Sequence, residues 1–337
     1  MRKILLSVIV LACAANLVTA QQRPQYTQYM FNNYLLNPAL SGIENYTDVK
    51  LGYRSQWTGL EGAPVTSYFT INAPLGSAFV NGDASAVPEA DGENPSSRMF
   101  TQYYQAAEPH AGIGFTLVTD KAGPITQTDI DATYAYHIGI TSTFNLALGV
   151  SAGVSRTALN TSEITTEYTD PAIYNGQGGQ WSPDLGAGIW GYSSNYYVGV
   201  SVQQILPQNL YYTATNSIYQ NKSVPHFFFT AGYKIFMSDD LTLMPSFMIK
   251  EINPVPVTYD INAKVSFRDV FWIGGSYRHD DSFGILAGFN ISSLINVGYS
   301  YDITTSALNT VSNGTHEIVL GILLNNRNKV TCPQHQF

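Results

Sequence analysis

From Val257 to Arg268 the chain alternates without a break. Thr258, Asp260, Asn262, Lys264, Ser266 and Arg268 are polar or charged, and Val257, Tyr259, Ile261, Ala263, Val265 and Phe267 between them are apolar or aromatic. That is the period of two that belongs to a β-strand. Soluble strands usually stop after about five or six residues, whereas this one persists for the roughly ten that a tilted strand needs to cross a bilayer. Asp260, Lys264 and Arg268 share one face. Against lipid each would cost roughly 2–4 kcal/mol near the midplane, so the pattern predicts that this face lines the polar interior of a closed barrel.

The same period recurs at 46–57, 65–74, 109–120, 126–139, 143–157, 181–193, 195–205, 225–237, 240–251, 256–268, 270–279, 282–291, 294–304 and 315–325. The prediction is an all-β chain: a transmembrane antiparallel β-barrel of about 14 strands in an outer membrane. In the first strand Asp48, Lys50, Arg54 and Gln56 fall inward, opposite Val49, Leu51, Tyr53 and Trp57. Short connections at 139–142, 193–194, 238–239, 269 and 292–293 alternate with a set containing the long 161–180 and 206–224. Tight periplasmic turns opposite longer outer loops are the asymmetry of such barrels. The connection at 76–109 is long although it falls on the turn side; it reads as a periplasmic loop or as a missed strand pair.

Composition sharpens this picture. The 337 residues include 23 Tyr, 16 Phe and 28 Gly with only 12% charged, which suits many strands with aromatic ends and glycine turns. Arg2 and Lys3, an apolar run over 4–18 and a small-residue site ending at Ala20 predict a signal peptide at 1–20. Cys13 lies inside it, in a weak lipoprotein-like context, which leaves Cys332 alone and excludes an internal disulfide. A net charge of −8 without clustered Lys and Arg excludes nucleic acid as a partner. The predicted partition is 21–45 as a periplasmic or plug segment, 46–326 as the barrel and 327–337 as a periplasmic tail, with both termini on the periplasmic side.

Segment 21–45 alternates nowhere for long and is dense in Asn, Gln and aromatics. Inward positions of the strands are often glycine: Gly112, Gly114, Gly149, Gly153, Gly186, Gly188, Gly284 and Gly288. Glycine weakens a strand, so its repetition on one face predicts something packed closely against it. Segment 21–45 is the obvious occupant, folding into or across the periplasmic mouth. The six histidines have no ligand spacing, and no Gly-x-Ser-x-Gly occurs, so neither an enzyme nor a cofactor is expected. His137 with Asp131 reads as a proton-transfer pair or as a hydrogen-bonded lumen histidine. Arg54 reads as a clamp on the N-terminal segment or a partner contact, or as an internal salt bridge to Asp48 or Asp302. Tyr211 and Tyr212, in 206–224, read as a recognition surface or as ordinary solvated loop.

Several blocks in order resemble the PorP/SprF family of type IX secretion outer-membrane proteins. They are Gln25 to Phe31 with Asn37-Pro38-Ala39 and Ser41-Gly42; Tyr53 to Trp57 with Gly59, Gly62-Ala63-Pro64 and Ala73-Pro74-Leu75; and Tyr277 to Asp281, Gly298 to Asp302, Gly314 to Glu317 and Cys332-Pro333. The resemblance implies a non-enzymatic component of type IX secretion and gliding. It would support export or surface attachment of an adhesin-like substrate through that substrate's C-terminal domain. Periplasmic ring components and the translocon are further implied partners, and outer-membrane lipid is the solvent. The residues expected to bind a partner or clamp the plug are Gln28, Tyr29, Met30, Phe31, Asn37, Pro38, Arg54, Gln56, Trp57, Asp302, Tyr211 and Tyr212. A substrate-selective porin is the alternative.

Overall fold

The structure, a computed structural model, describes residues 24–76, 79, 87–88, 104–160, 163–164, 179–207, 223–253, 255–268, 270–292, 294–326 and 330–331. Fourteen antiparallel strands close into a barrel. In chain order they are β1 (Thr47–Ser55), β2 (Val65–Leu75), β3 (His110–Ala122), β4 (Ile125–Gly139), β5 (Asn145–Leu159), β6 (Gln180–Tyr192), β7 (Tyr196–Gln203), β8 (His226–Tyr233), β9 (Leu241–Ile252), β10 (Val255–Phe267), β11 (Phe271–Arg278), β12 (Ser282–Ser292), β13 (Ile295–Thr304) and β14 (Thr315–Leu324). Each pairs with its sequence neighbours, and β1 meets β14 from Thr47 against Leu324 to Ser55 against His316, which leaves no open edge. β2 pairs directly with β3, so the 76–109 connection hides no wall strand.

The alternation decides which side each residue takes. Along β10, Asp260, Asn262, Lys264 and Ser266 are buried, while Tyr259, Ile261, Ala263 and Phe267 are exposed. Leu51, Tyr53, Ile113, Leu148, Ile189, Ile285 and Ile318 are likewise exposed on the outer face. An apolar band outside and polar positions inside is the arrangement that lipid enforces.

Three details correct the sequence reading. Arg268 does not face the lumen with Asp260 and Lys264: it lies past the end of β10 at φ 50°, half-exposed, with its Nε 2.8 Å from Asp240 Oδ1. Gln56 and Trp57 fall beyond β1, and Trp57 turns the chain at φ 47°. The strand expected over 225–237 breaks at Lys234, whose amide donates to Asn195 O at 2.7 Å, and resumes only as Ile235–Phe236. Pro245, without an N–H to donate, lies on β9 at the level of that break.

β1 starts and β14 ends at the same end of the barrel, here the turn end; the other, carrying 56–64 and 305–314, is the loop end. At the turn end a two-residue antiparallel ladder, Val330 opposite Pro88 and Thr331 opposite Val87, ties the chain after β14 to the 76–109 connection.

The segment before β1 occupies the lumen. It is an arm of three short 3₁₀ turns, Gln28–Met30, Asn33–Leu35 and Pro38–Leu40. It gives the barrel two apolar cores. Tyr26, Tyr29, Met30, Leu35 and Leu36 pack with Tyr68, Phe228, Met248, Trp272, Leu286 and Val319. Tyr34, Ala39, Leu40 and Ile43 pack with Ala147, Trp190, Tyr192 and Tyr197.

Candidate functional site: a clamped arm in the barrel lumen

At the loop end the arm meets a buried charge network. Arg54 of β1 stands directly across from Glu317 of β14, and both face inward. The guanidinium lies 2.9 Å from Glu317 Oε2 and 3.0 Å from Asp302 Oδ2 of β13. It also donates to Thr27 Oγ1 at 2.8 Å, and Thr27 Oγ1 in turn donates to Asp302 Oδ2 at 2.5 Å. The amide of Thr27 reaches Glu317 Oε2 at 2.8 Å, and Gln28 Nε2 reaches Glu317 O at 2.8 Å. Arg278 of β11, ion-paired to Asp260 at 3.0 Å, donates to Tyr26 O at 3.2 Å. Two arginines, three acids and the backbone of Tyr26 and Thr27 are therefore linked in a space with almost no solvent, with Arg54 Nε and Asp302 Oδ1 left unpaired. Arg54 thus makes the internal salt bridge to Asp302 and, through its bond to Thr27 Oγ1, also touches the arm. Asp48 is not its partner; that carboxylate pairs with Lys50 at 2.6 Å.

Deeper in the lumen the arm's hydrogen bonds join neutral groups. Tyr29 takes a hydrogen bond from Asn262 Nδ2. Phe31 packs on Trp272 at 6.0 Å between ring centres, and Lys50 lies 5.5 Å from its ring centre. Tyr34 bonds Thr133 Oγ1 at 2.5 Å. An irregular backbone buried in a barrel must find partners for its carbonyls, and wall side chains supply them: Ser201 Oγ donates to Leu36 O at 2.6 Å and Gln203 Nε2 to Leu35 O at 2.8 Å. Asn37 works in both directions. Its Oδ1 caps the turn starting at Pro38 by accepting from Ala39 N at 2.9 Å, and its Nδ2 donates to Ile189 O at 3.0 Å and Val200 O at 3.2 Å.

At the turn end the fit is steric. A Cβ on Gly112 would overlap the carbonyl of Ser41, one on Gly149 the backbone of Ala39 and one on Gly188 the Asn37 amide. Gly42 N donates to Asn72 Oδ1 at 3.0 Å. His110 Nε2 lies 3.0 Å from Gly42 O and His137 Nε2 2.9 Å from Ser41 O, the two rings stacked at 4.5 Å. His137 is the hydrogen-bonded lumen histidine, with Tyr192 OH at 3.1 Å from its other nitrogen, and is no partner of Asp131.

Gln28, Tyr29, Met30, Phe31, Asn37, Pro38, Arg54 and Asp302 thus come together around the arm. Gln56 and Trp57 do not; they bond Pro64 O and Thr315 Oγ1 through their amides in the loop-end connection. Tyr211, Tyr212, the signal at 1–20 and both cysteines lie outside the described residues. Glu317, Thr27 and Arg278 were not singled out as site residues. All three lie within the blocks of resemblance, and the inward parity of Arg54 and Glu317 was the available signal.

Among solved structures the fold is similar to the Ralstonia pickettii toluene transporter TbuX, at 10% identity over 87% of this chain and 92% of that one, TM-score 0.46. It is also similar to the Acinetobacter baumannii outer membrane protein Omp33, at 8% identity over 84% and 100%, TM-score 0.45. Mutants of Rhodopseudomonas blastica porin follow at 9% identity over 82% and 98%, TM-score 0.33. No curated protein matches the chain. A family model described as type IX secretion system membrane protein PorP/SprF matches residues 18–322, the arm and almost the whole barrel, and this outer-membrane β-barrel belongs to that family.

Proposed function

We propose that this barrel is a non-enzymatic, non-conducting anchor of type IX secretion, which holds an adhesin-like substrate at the cell surface through the substrate's C-terminal domain. The observation that carries the reading is the filled lumen. The arm brings apolar side chains into two internal cores and is locked by buried ion pairs, so the barrel's centre is a packed interior. A barrel spent in this way acts through its ends. The loop end, taken as extracellular, meets the substrate. The turn end, where the 330–331 ladder joins the 76–109 connection, offers the surface for periplasmic ring components and the translocon.

Two measurements test this. Protein purified from its native membrane should carry the exported substrate as a bound chain. In planar bilayers it should pass little current until residues 21–42 are deleted. A large, constant conductance with the arm intact and no co-purifying chain would instead establish the porin reading.

A further inference from the structure

The arm has a direction, and the direction has a consequence for the topology of the whole chain. Its C-terminal part is at the turn end: Gly42 bonds Asn72 near the end of β2, Ser41 fits against Gly112 near the start of β3, and Tyr46 leads into β1. Its N-terminal part is at the other end. Thr27 touches Arg54, Asp302 and Glu317, which lie at the loop-end extremities of β1, β13 and β14. Arg54 is seven residues along β1 from Thr47, or about 23 Å at the usual strand rise of about 3.3 Å per residue. Tyr26, the residue before Thr27, accepts from Arg278 in the last position of β11, at the same end. The arm therefore traverses the barrel and does not merely cover one mouth.

We propose that the two ends of this chain open on opposite faces of the outer membrane: the N-terminal end on the cell surface, among the outer loops, and the C-terminal tail in the periplasm. Threading needs no pull through a finished pore. The wall closes only when β14 pairs with β1, so the arm can be enclosed as that seam forms. The inference stands on the path of the arm and on the loop end being extracellular; it does not depend on which substrate is held.

Site-specific labelling decides it. In the native chain Cys332 is the one cysteine left after removal of the predicted signal and reports on the tail. In a Gln22→Cys, Cys332→Ser variant the thiol reports on the N-terminal end. Both are treated with a membrane-impermeant maleimide, normalised to the unfolded chain. The expected result is labelling at position 22 in intact cells and loss of labelling at Cys332 unless the outer membrane is permeabilised. An epitope inserted after Gln21 repeats the test with antibody on intact cells, should the thiol at 22 be shielded in the fold. Both positions reached from the same side, or position 22 and the epitope reached only after permeabilisation, would overturn the proposal. Absence of a co-purifying substrate would count against the proposed function and leave this result untouched.

Discussion

The two ends of the arm are held by different chemistry. At the loop end Thr27 and Gln28 sit in a charged clamp built from β1, β13 and β14, where one guanidinium serves two carboxylates and a hydroxyl. At the turn end Ser41 and Gly42 are held by neutral partners and by notches that glycine leaves in the wall. The difference follows from what each end must do. A buried ion network is intolerant of a missing member, because the remaining charges lose their compensation, and so it fixes one arrangement out of many. Steric notches work by close approach and tolerate nothing larger than hydrogen, yet strand no charge when they fail.

The largest effect should therefore come from the clamp. Arg54→Ala leaves Glu317 and Asp302 buried against each other, and loss of one member of a buried pair costs about 3–5 kcal/mol. Urea unfolding in lipid vesicles should show that loss, together with arm release read as a rise in bilayer conductance. Removing the acids as well, in Arg54→Met with Asp302→Asn and Glu317→Gln, should restore much of the stability, since the penalty lies in the stranded charges. If the triple variant is as unstable as the single one, the clamp is not acting through charge.

At the turn end Gly112→Ala places a methyl where the Ser41 carbonyl now lies. Overpacking of this kind costs about 1–3 kcal/mol. The same unfolding assay should show a smaller loss than Arg54→Ala, and no substitution of charged residues should recover it. Labelling of a cysteine placed at Ser41 from the periplasmic side should increase as the arm lifts from its notch. An unaltered transition would mean that the arm does not sit in Gly112's notch.

The wall was legible in the sequence because lipid and lumen impose opposite demands on alternate residues, and every expected strand is present near its expected limits. The misreadings at Arg268 and Trp57 share a cause: alternation runs on past a strand's end. Arg268 and Trp57 keep the parity of β10 and β1 although each has already entered a left-handed turn. The arm was legible as an occupant, through Gly112, Gly149 and Gly188, but its path was not, since short 3₁₀ turns have no period to read. Other inward glycines meet the wall itself: Gly153 faces Asp131, Gly186 faces Ser151 and Gly288 faces Trp272. The clamp needed the register of β1 on β14, which no local pattern encodes.

Arg268 supplies the smallest effect and the sharpest contrast with Arg54. Both are arginines paired to an aspartate, at 2.8 Å and 3.0 Å, yet Arg268 and Asp240 are 51% and 44% exposed whereas Arg54 and Asp302 are 2% exposed. Water and salt screen the exposed pair, and its loss leaves Asp240 solvated. Arg268→Ala should therefore leave the urea transition where it is, at low and high salt alike. Arg268→Gly should unfold no earlier than the native chain, because glycine takes the φ of 50° without the steric cost that arginine bears. A destabilisation by Arg268→Ala comparable to that of Arg54→Ala would mean that this turn is packed against something, and the distinction between lumen charge and rim charge would fail with it.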